Sequence, residues 1–384
     1  MMAPQMPAPR QAKSMARAVS GRAVASALCL LACGTCMAAE ATSGVAGRVG
    51  VGDARAYLQR TLEQALGAGP ELVAQVPLTH AYWLVAALTL VDGCAQARVE
   101  EVLQLVRERQ NADGGFGATP GAESSALHTL AAVQVSALLD SLSGFRSDLR
   151  LVEYARAQLC AAIAEGCDAR QACCATLALA LLGCAPARGS EEARSVRDAI
   201  LLCRNWDGAF GGVPLAESHA GTTFCCLATL SAIGELGALP RPGETARWLA
   251  ERQQPCGGFN GRAGKDADLC YSWWCPASLA ILEKGHWLDA HAARRFIDQC
   301  ACADGGLAFA PGQAADPYHT FFGLAALALV RELGGGGAEA AAEVEVPLRS
   351  VECVFALPRS VVPMAQRIAE QVHIAGLHRT GSYE

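Results

Sequence analysis

At 384 residues the chain is long for one compact domain, but within reach of a repeat-built one. Apolar residues make up 52% and charged residues 18%, which excludes global disorder, and a net charge of −6 excludes a nucleic-acid binder that works by neutralising phosphates. Most of the 18 cysteines sit in apolar runs such as Cys173-Cys174 and Cys225-Cys226. Thiols in such runs act as small core hydrophobes, so a reducing, cytoplasmic setting is expected and a disulfide scaffold is not.

Residues 1–50 read as an N-terminal extension outside the fold. Arg10, Lys13, Arg17 and Arg22 precede a 17-residue apolar stretch, Ala23 to Ala39. That layout imitates a secretory leader, while Ala, Ser, Gly and Thr dilute it below what a membrane span needs. Residues 51–384 are expected to form one domain.

Within that domain one turn is written four times: Asp113-Gly-Gly-Phe-Gly117, Asp207-Gly-Ala-Phe-Gly211, Cys256-Gly-Gly-Phe-Asn260 and Asp304-Gly-Gly-Leu307. The copies begin 94, 49 and 48 residues apart, so the first interval holds an eroded copy, near Leu159 to Gly166. Upstream of each turn lie segments with charge on one face, such as Val99 to Gln110, where Val102, Leu105 and Val106 recur at helical spacing. Downstream lie Ala126 to Asp140, Thr223 to Leu236, Ser272 to Glu283 and Thr320 to Leu333, apolar on nearly every side and therefore buried helices. No alternating strands are expected between them. Helical hairpins repeating at this period must stack to bury their apolar faces. The expected fold is all-α, an α–α barrel (toroid) with the apolar helices inside, the charged ones outside, and an apolar cavity on the axis.

Just before each inner helix a polar cluster recurs: Glu123-Ser-Ser-Ala, Glu217-Ser-His219-Ala, Asp268-Leu-Cys270-Tyr271 and Asp316-Pro-Tyr-His319. Equivalent places in a ring converge on its axis, so Asp268, Cys270 and His319 are expected to meet. A carboxylate, a thiolate and an imidazole suit zinc, and three protein ligands leave a fourth position open for substrate. Around them His219, Arg262, Lys265, Tyr271, Trp273 and Trp274 form a basic and aromatic group. Arg262 and Lys265 before a metal site suit a leaving diphosphate, whose charge grows as its bond breaks.

The string Gly261-Arg-Ala-Gly-Lys-Asp-Ala-Asp-Leu-Cys-Tyr-Ser-Trp-Trp274 resembles the zinc-site motif of protein prenyltransferase β-subunits, as do Glu217-Ser-His-Ala-Gly221 and Asp316-Pro-Tyr-His-Thr320. The resemblance covers roughly residues 51–364 and leans towards the Rab (type II) geranylgeranyltransferase β-subunit through Tyr271-Ser-Trp-Trp274 and the closing Val354-Phe-Ala-Leu-Pro358. It implies that Asp268, Cys270 and His319 bind zinc, that His219, Arg262, Lys265 and Tyr271 bind the diphosphate, and that Trp274 lines the lipid pocket. Thr79 matches the place where farnesyltransferases put a bulky aromatic, so the twenty-carbon donor, geranylgeranyl diphosphate, is the implied lipid. The implied partners are a helical α-subunit, a Rab escort protein and Rab GTPases. Phe309 stands where relatives often have an aspartate, which argues against a magnesium site. A CaaX geranylgeranyltransferase or a farnesyltransferase β-subunit is the nearest alternative, and a non-catalytic α–α scaffold is the alternative from another class. The acid-rich protonation motif of a terpene cyclase is absent, since Asp266-Ala-Asp268-Leu runs into Cys270.

Overall fold

Apolar stripes on charged helices and apolar girth on Ala/Leu helices sort this chain into two layers, as a computed structural model shows for residues 48–67, 69–91, 98–164, 166–334 and 348–362. The apolar stretch at 23–39 lies outside the described residues. Six outer helices are α1 (Val51–Gly67), α4 (Val99–Arg107), α7 (Leu149–Ala164), α9 (Glu191–Leu202), α11 (Pro242–Ala250) and α13 (Ala290–Gln299). Six inner ones are α3 (Leu78–Leu90), α5 (Ala126–Leu138), α8 (Ala169–Leu182), α10 (Ala220–Ala232), α12 (Tyr271–Ile281) and α14 (Pro317–Leu333), with short α2 (Pro70–Val73) and α6 (Leu142–Arg146) in connections. In α4 only Val102, Leu103, Leu105 and Val106 are buried, whereas α14 is buried without a break from His319 to Val330. A helix buried on every side cannot lie at the surface, so it takes the inner layer.

Each inner helix contacts the next, in the order α3, α5, α8, α10, α12, α14, and α14 returns to α3. The ring is closed. Each outer helix packs on the inner helix that follows it in the chain. Among the described residues no helix is long and apolar enough to cross a membrane, and every cysteine is a free thiol.

The four repeated turns are four equivalent reversals, each pinned by one antiparallel bridge: Gln110 with Phe116, Arg204 with Phe210, Gln253 with Phe259, and Ala301 with Leu307. Gly114, Gly208, Gly257 and Gly305 stand there at φ of 86°, 92°, 92° and 94°, a region that glycine enters without penalty. Crowding adds a second demand. A Cβ at Gly257 would lie 2.1 Å from the Ala292 carbonyl oxygen of α13, and one at Gly305 would lie 2.2 Å from the Asp53 carbonyl oxygen of α1. Every turn is thus wedged under the next outer helix, and the last one is wedged under the first. Phe116, Phe210 and Phe259 are fully buried, and truncating a buried Phe to Ala costs about 3–5 kcal/mol.

The eroded copy expected near Leu159 to Gly166 is the end of α7 and a bare reversal. Asp168 N–H bonds to the Ala162 carbonyl at 3.0 Å, and a Cβ at Gly166 (φ 93°) would meet nothing within 4 Å. The hairpin α1–α3 also lacks the turn. Its connection is held from outside by buried Arg109, which donates to the carbonyls of Val73 and Val76 at 3.0 and 2.8 Å. Strands appear where none was expected: β1 (Val351–Glu352) pairs antiparallel with β2 (Leu357–Pro358). Glu352 makes that hairpin by accepting from the backbone N–H groups of Val354 and Phe355. The inner ring holds the segment, with Tyr82 Oη donating to the Ala356 carbonyl at 3.1 Å and Gln134 to that of Phe355 at 3.0 Å.

Candidate metal centre at the barrel mouth

All the inner helices begin at one mouth, so the residues that start them face each other. Ser125, Asp168, His219, Cys270 and Asp316 are the N-cap residues of α5, α8, α10, α12 and α14. In the hairpins with a turn, one backbone bond sets where the cap lies, and in three of the four a side-chain bond adds to it; Ser272 Oγ, at the same place in α12, has no partner. The residue at or just before the cap donates its N–H to a turn carbonyl: Ser125 to Phe116, His219 to Phe210, Asp268 to Phe259 and Asp316 to Leu307. A hydroxyl one turn into the helix then accepts from the turn, as Thr223 does from Phe210 N–H at 3.1 Å and Thr320 from Leu307 N–H at 2.9 Å.

Asp268, Cys270 and His319 meet as expected. One ligand atom from each lies within 4.8 Å of the other two. Asp268 Oδ1 accepts from the Cys270 backbone N–H at 2.9 Å and lies 3.4 Å from His319 Nε2. His319 is aimed by the cap of its own helix: Asp316 takes its backbone N–H on Oδ1 and sits 2.6 Å from its Nδ1 with Oδ2. Burial opposes charge on the imidazole, but the Asp268 and Asp316 carboxylates outweigh it and raise its pKa to about 9. Burial also raises Asp268, but His319 and the Cys270 N–H hold it below the usual carboxylate value. Burial, with the Asp268 charge beside it, pushes the Cys270 thiol up. These three donors fit a divalent zinc ion. A cation between them would reverse the penalty on the thiolate, and Asp316 already fixes Nδ1 and leaves Nε2 turned inward.

Next to them His219 and Tyr271 form a unit. His219 Nδ1 accepts from Gly221 N–H at 3.1 Å, so the ring proton lies on Nε2, which donates to Tyr271 Oη at 3.1 Å. Burial lowers the His219 pKa to about 4, helped by the charges of Arg262 and Arg170. The ring is neutral at physiological pH. Gly261 leaves room for the tyrosine, since a Cβ there would stand 2.4 Å from its ring. Arg262 joins this group and pairs with Glu217 at 2.8 Å. Lys265 lies in the same loop with its side chain exposed. Arg170, in the first turn of α8, was not singled out from the sequence. The repeat register could have found it, because Asp168-Ala-Arg170 occupies the cap place that Asp316 and His219 occupy elsewhere.

Trp273 is fully buried, while Trp274 is half-buried. Trp274 belongs to a path of rings that sequence reasoning saw only in part. It contacts Phe224 on α10 at 4.8 Å and Phe322 on α14 at 4.6 Å. From Phe322 the path passes to Tyr318 at 4.8 Å and to Trp83 on α3 at 5.0 Å. Thr79, 8% exposed, stands in the first turn of α3, across the six-membered ring from α10 and His219. Phe309 is 42% exposed, with its ring 6.0 Å from that of His319.

The family model for the prenyltransferase alpha-alpha toroid domain matches residues 52–357. The type-2 geranylgeranyl transferase β-subunit of Saccharomyces cerevisiae is 36% identical over 271 residues, 67% of this chain and 82% of that protein. The farnesyltransferase β-subunit of Schizosaccharomyces pombe is 28% identical over 274 residues, 65% of this chain and 70% of that protein. Among solved structures, Candida albicans protein geranylgeranyltransferase-I complexed with GGPP superposes with a TM-score of 0.65 at 20% identity, covering 81% of this chain and 96% of that one. That likeness is one of fold. With a match across most of the barrel, the chain belongs to the prenyltransferase alpha-alpha toroid family.

Proposed function

We propose that this chain is the catalytic β-subunit of a Rab (type II) protein geranylgeranyltransferase. It works with a helical α-subunit in the cytoplasm, its barrel domain spans 51–384, and residues 1–50 are an extension. The observation that carries the reading is the convergence of Asp268, Cys270 and His319 within 4.8 Å, beside the neutral His219–Tyr271 pair. The 36% identity to the yeast type-2 β-subunit favours the Rab enzyme over its CaaX relatives.

Asp268, Cys270 and His319 would hold zinc, which would supply a Lewis acid able to keep the acceptor cysteine of a Rab GTPase as a thiolate near neutral pH. The geranylgeranyl chain lies on the aromatic path past Trp274, with Thr79 opposite the diphosphate end. The acceptor sulfur attacks the first lipid carbon as the bond from that carbon to the diphosphate oxygen breaks. Because His219 Nε2–H already donates to the Tyr271 oxygen, the Tyr271 hydroxyl proton is free to meet a diphosphate oxygen as charge develops there. Arg262 exchanges Glu217 for the diphosphate at little cost, since an exposed ion pair contributes roughly 0–1 kcal/mol. Lys265 adds its charge at the rim.

The test is lipid transfer by the purified heterodimer from geranylgeranyl and farnesyl diphosphates, to a Rab GTPase with and without Rab escort protein and to a CaaX peptide. Escort-dependent geranylgeranyl transfer and one zinc per chain are expected. Transfer to the CaaX peptide alone would move the chain to its CaaX relatives, and a zinc-free, inactive heterodimer would make it a scaffold.

A further inference from the structure

Asp268 and Cys270 precede one inner helix and His319 begins another, so the junction between α12 and α14 sets the spacing of the three donors. Asp268 and Cys270 flank Leu269 just before α12, and His319 stands one helical turn before Gly323 on α14. Gly323 has no backbone reason to be glycine. It lies inside a 17-residue α-helix and is not among the residues at positive φ, and glycine there weakens a helix relative to alanine. The equivalent places on other inner helices carry a Cβ. Three residues beyond Thr129, Thr223 and Ser272, as Gly323 is beyond Thr320, stand Ala132, Cys226 and Cys275.

The reason lies in packing. A Cβ at Gly323 would stand 2.9 Å from Leu269 Cδ2 and 3.0 Å from Leu307 Cδ2, well inside the ordinary carbon contact of about 3.5–4.0 Å. Both leucines are fully buried, so neither tip has open space to retreat into. The bare backbone of α14 is a notch, and Leu269 fills it. The main chain of Leu269 is tied to the same hairpin, since its N–H donates to the Phe309 carbonyl at 2.8 Å. Leu307 shares the notch, and its N–H donates to Thr320 Oγ1, the residue after His319. The junction one step earlier is built differently. There Ala220 makes the corresponding bond, to the Gly261 carbonyl at 2.8 Å, and the place of Gly323 is held by Cys275. A large side chain thus meets a missing one at the junction whose two sides must share an ion.

We propose, resting on the zinc site of the function proposed above, that Leu269 and Gly323 are positioning residues for the metal. Leu269 seated in the Gly323 notch holds Asp268 and Cys270 level with His319. The polar link across the same junction, Asp268 Oδ1 to His319 Nε2 at 3.4 Å, is made by two of the donor atoms themselves and cannot fix their spacing independently. A packed apolar contact sets that distance without competing for the donors.

The experiment measures the zinc affinity of the purified heterodimer by competition with a chelator, in wild type, Gly323→Ala, Leu269→Ala and the double variant. Cobalt(II) absorption of the same proteins reports tetrahedral geometry and the Cys270 thiolate. Gly323→Ala is expected to lower zinc affinity about 10- to 100-fold, as loss of an outer-shell partner does, and to weaken the cobalt–thiolate band. Leu269→Ala empties the notch and should lower the affinity too. In the Leu269→Ala background, Gly323→Ala refills part of that space, so there it should raise the affinity about 2- to 10-fold, a coupling of the size found between touching residues. A general loss of stability cannot reverse its sign in this way. Unchanged affinity in Gly323→Ala, or the same loss in both backgrounds, would overturn the proposal. If Gly323→Ala does not fold alone, Leu269→Ala with and without it still decides, and no gain overturns the proposal. A wild type that holds no zinc would overturn the functional reading and take this one with it, whereas zinc held equally by every variant overturns this one alone.

Discussion

The hairpins that end in a glycine turn and those that do not have divided the labour of the ring. In α9–α10, α11–α12 and α13–α14 the turn is wedged under the next outer helix, and its carbonyl fixes where the inner helix starts. Those three consecutive hairpins carry His219, Cys270 with Asp268, and His319. In α7–α8 the cap residue bonds to the end of its own outer helix, and a Cβ at Gly166 would meet nothing within 4 Å. Its cap, Asp168, does a cap's ordinary work, accepting from the N–H groups of Arg170 and Gln171. A metal site tolerates little misplacement of its donors, and the proposed one lies where the backbone is pinned twice.

The sharpest way to break this contrast is to exchange cap residues for alanine on both sides. Cys270→Ala should remove the zinc and lower transfer more than about 100-fold, since loss of an outer-shell partner alone costs up to that much. Asp168→Ala should cost only about 1 kcal/mol of stability, as a lost N-cap does. Zinc stoichiometry, single-turnover rates and chemical denaturation measure both. A step smaller is Asp316→Asn, which keeps the shape and loses the charge behind His319. Zinc affinity should fall about 10- to 100-fold, read by competition with a chelator, with little change in folding.

The turns themselves give the third test. Gly257 and Gly166 have φ of 92° and 93°, but only Gly257 is crowded. Gly166→Ala should cost about 1 kcal/mol for the backbone alone, and Gly257→Ala about 2–4 kcal/mol, because α13 must also shift. Equal losses would mean that the wedge contributes nothing. The smallest effect is expected in the other hairpin without a turn. Thr79→Trp should shift donor preference a few-fold from the twenty-carbon towards the fifteen-carbon diphosphate, with zinc content unchanged, in competition assays at matched protein concentration. An unchanged ratio would put the end of the lipid pocket elsewhere.

Much of this was legible because the repeat is literal. Four copies of one turn gave the period, and the period brought Cys270 and His319 together although 49 residues separate them. Asp316 was quoted only as part of a motif, since nothing in a string distinguishes an orienting carboxylate from an ordinary cap. The ring path through Phe224, Tyr318 and Trp83 was hidden for a different reason. Lone aromatics in apolar helices look like core, and only the ring closure of α14 on α3 turns Tyr318 towards Trp83. The first hairpin escaped the repeat count because α2 and the reach of Arg109 replace its turn. The β1–β2 hairpin depends on a buried glutamate binding two backbone N–H groups, an arrangement without periodicity to reveal it.

Ring closure also sets a timetable for synthesis. While the chain emerges from the ribosome, α3 has α5 on one flank and nothing on the other until α14 arrives more than 200 residues later. The nascent barrel is an open arc with a long apolar edge, and every repeat added lengthens it before the last one seals it. Non-local contacts of this kind form late, and exposed apolar edges aggregate while they wait. A cell that makes this protein must shield that edge during elongation. Slowing translation just before α14 should raise the fraction lost to aggregation more than the same pause placed after it.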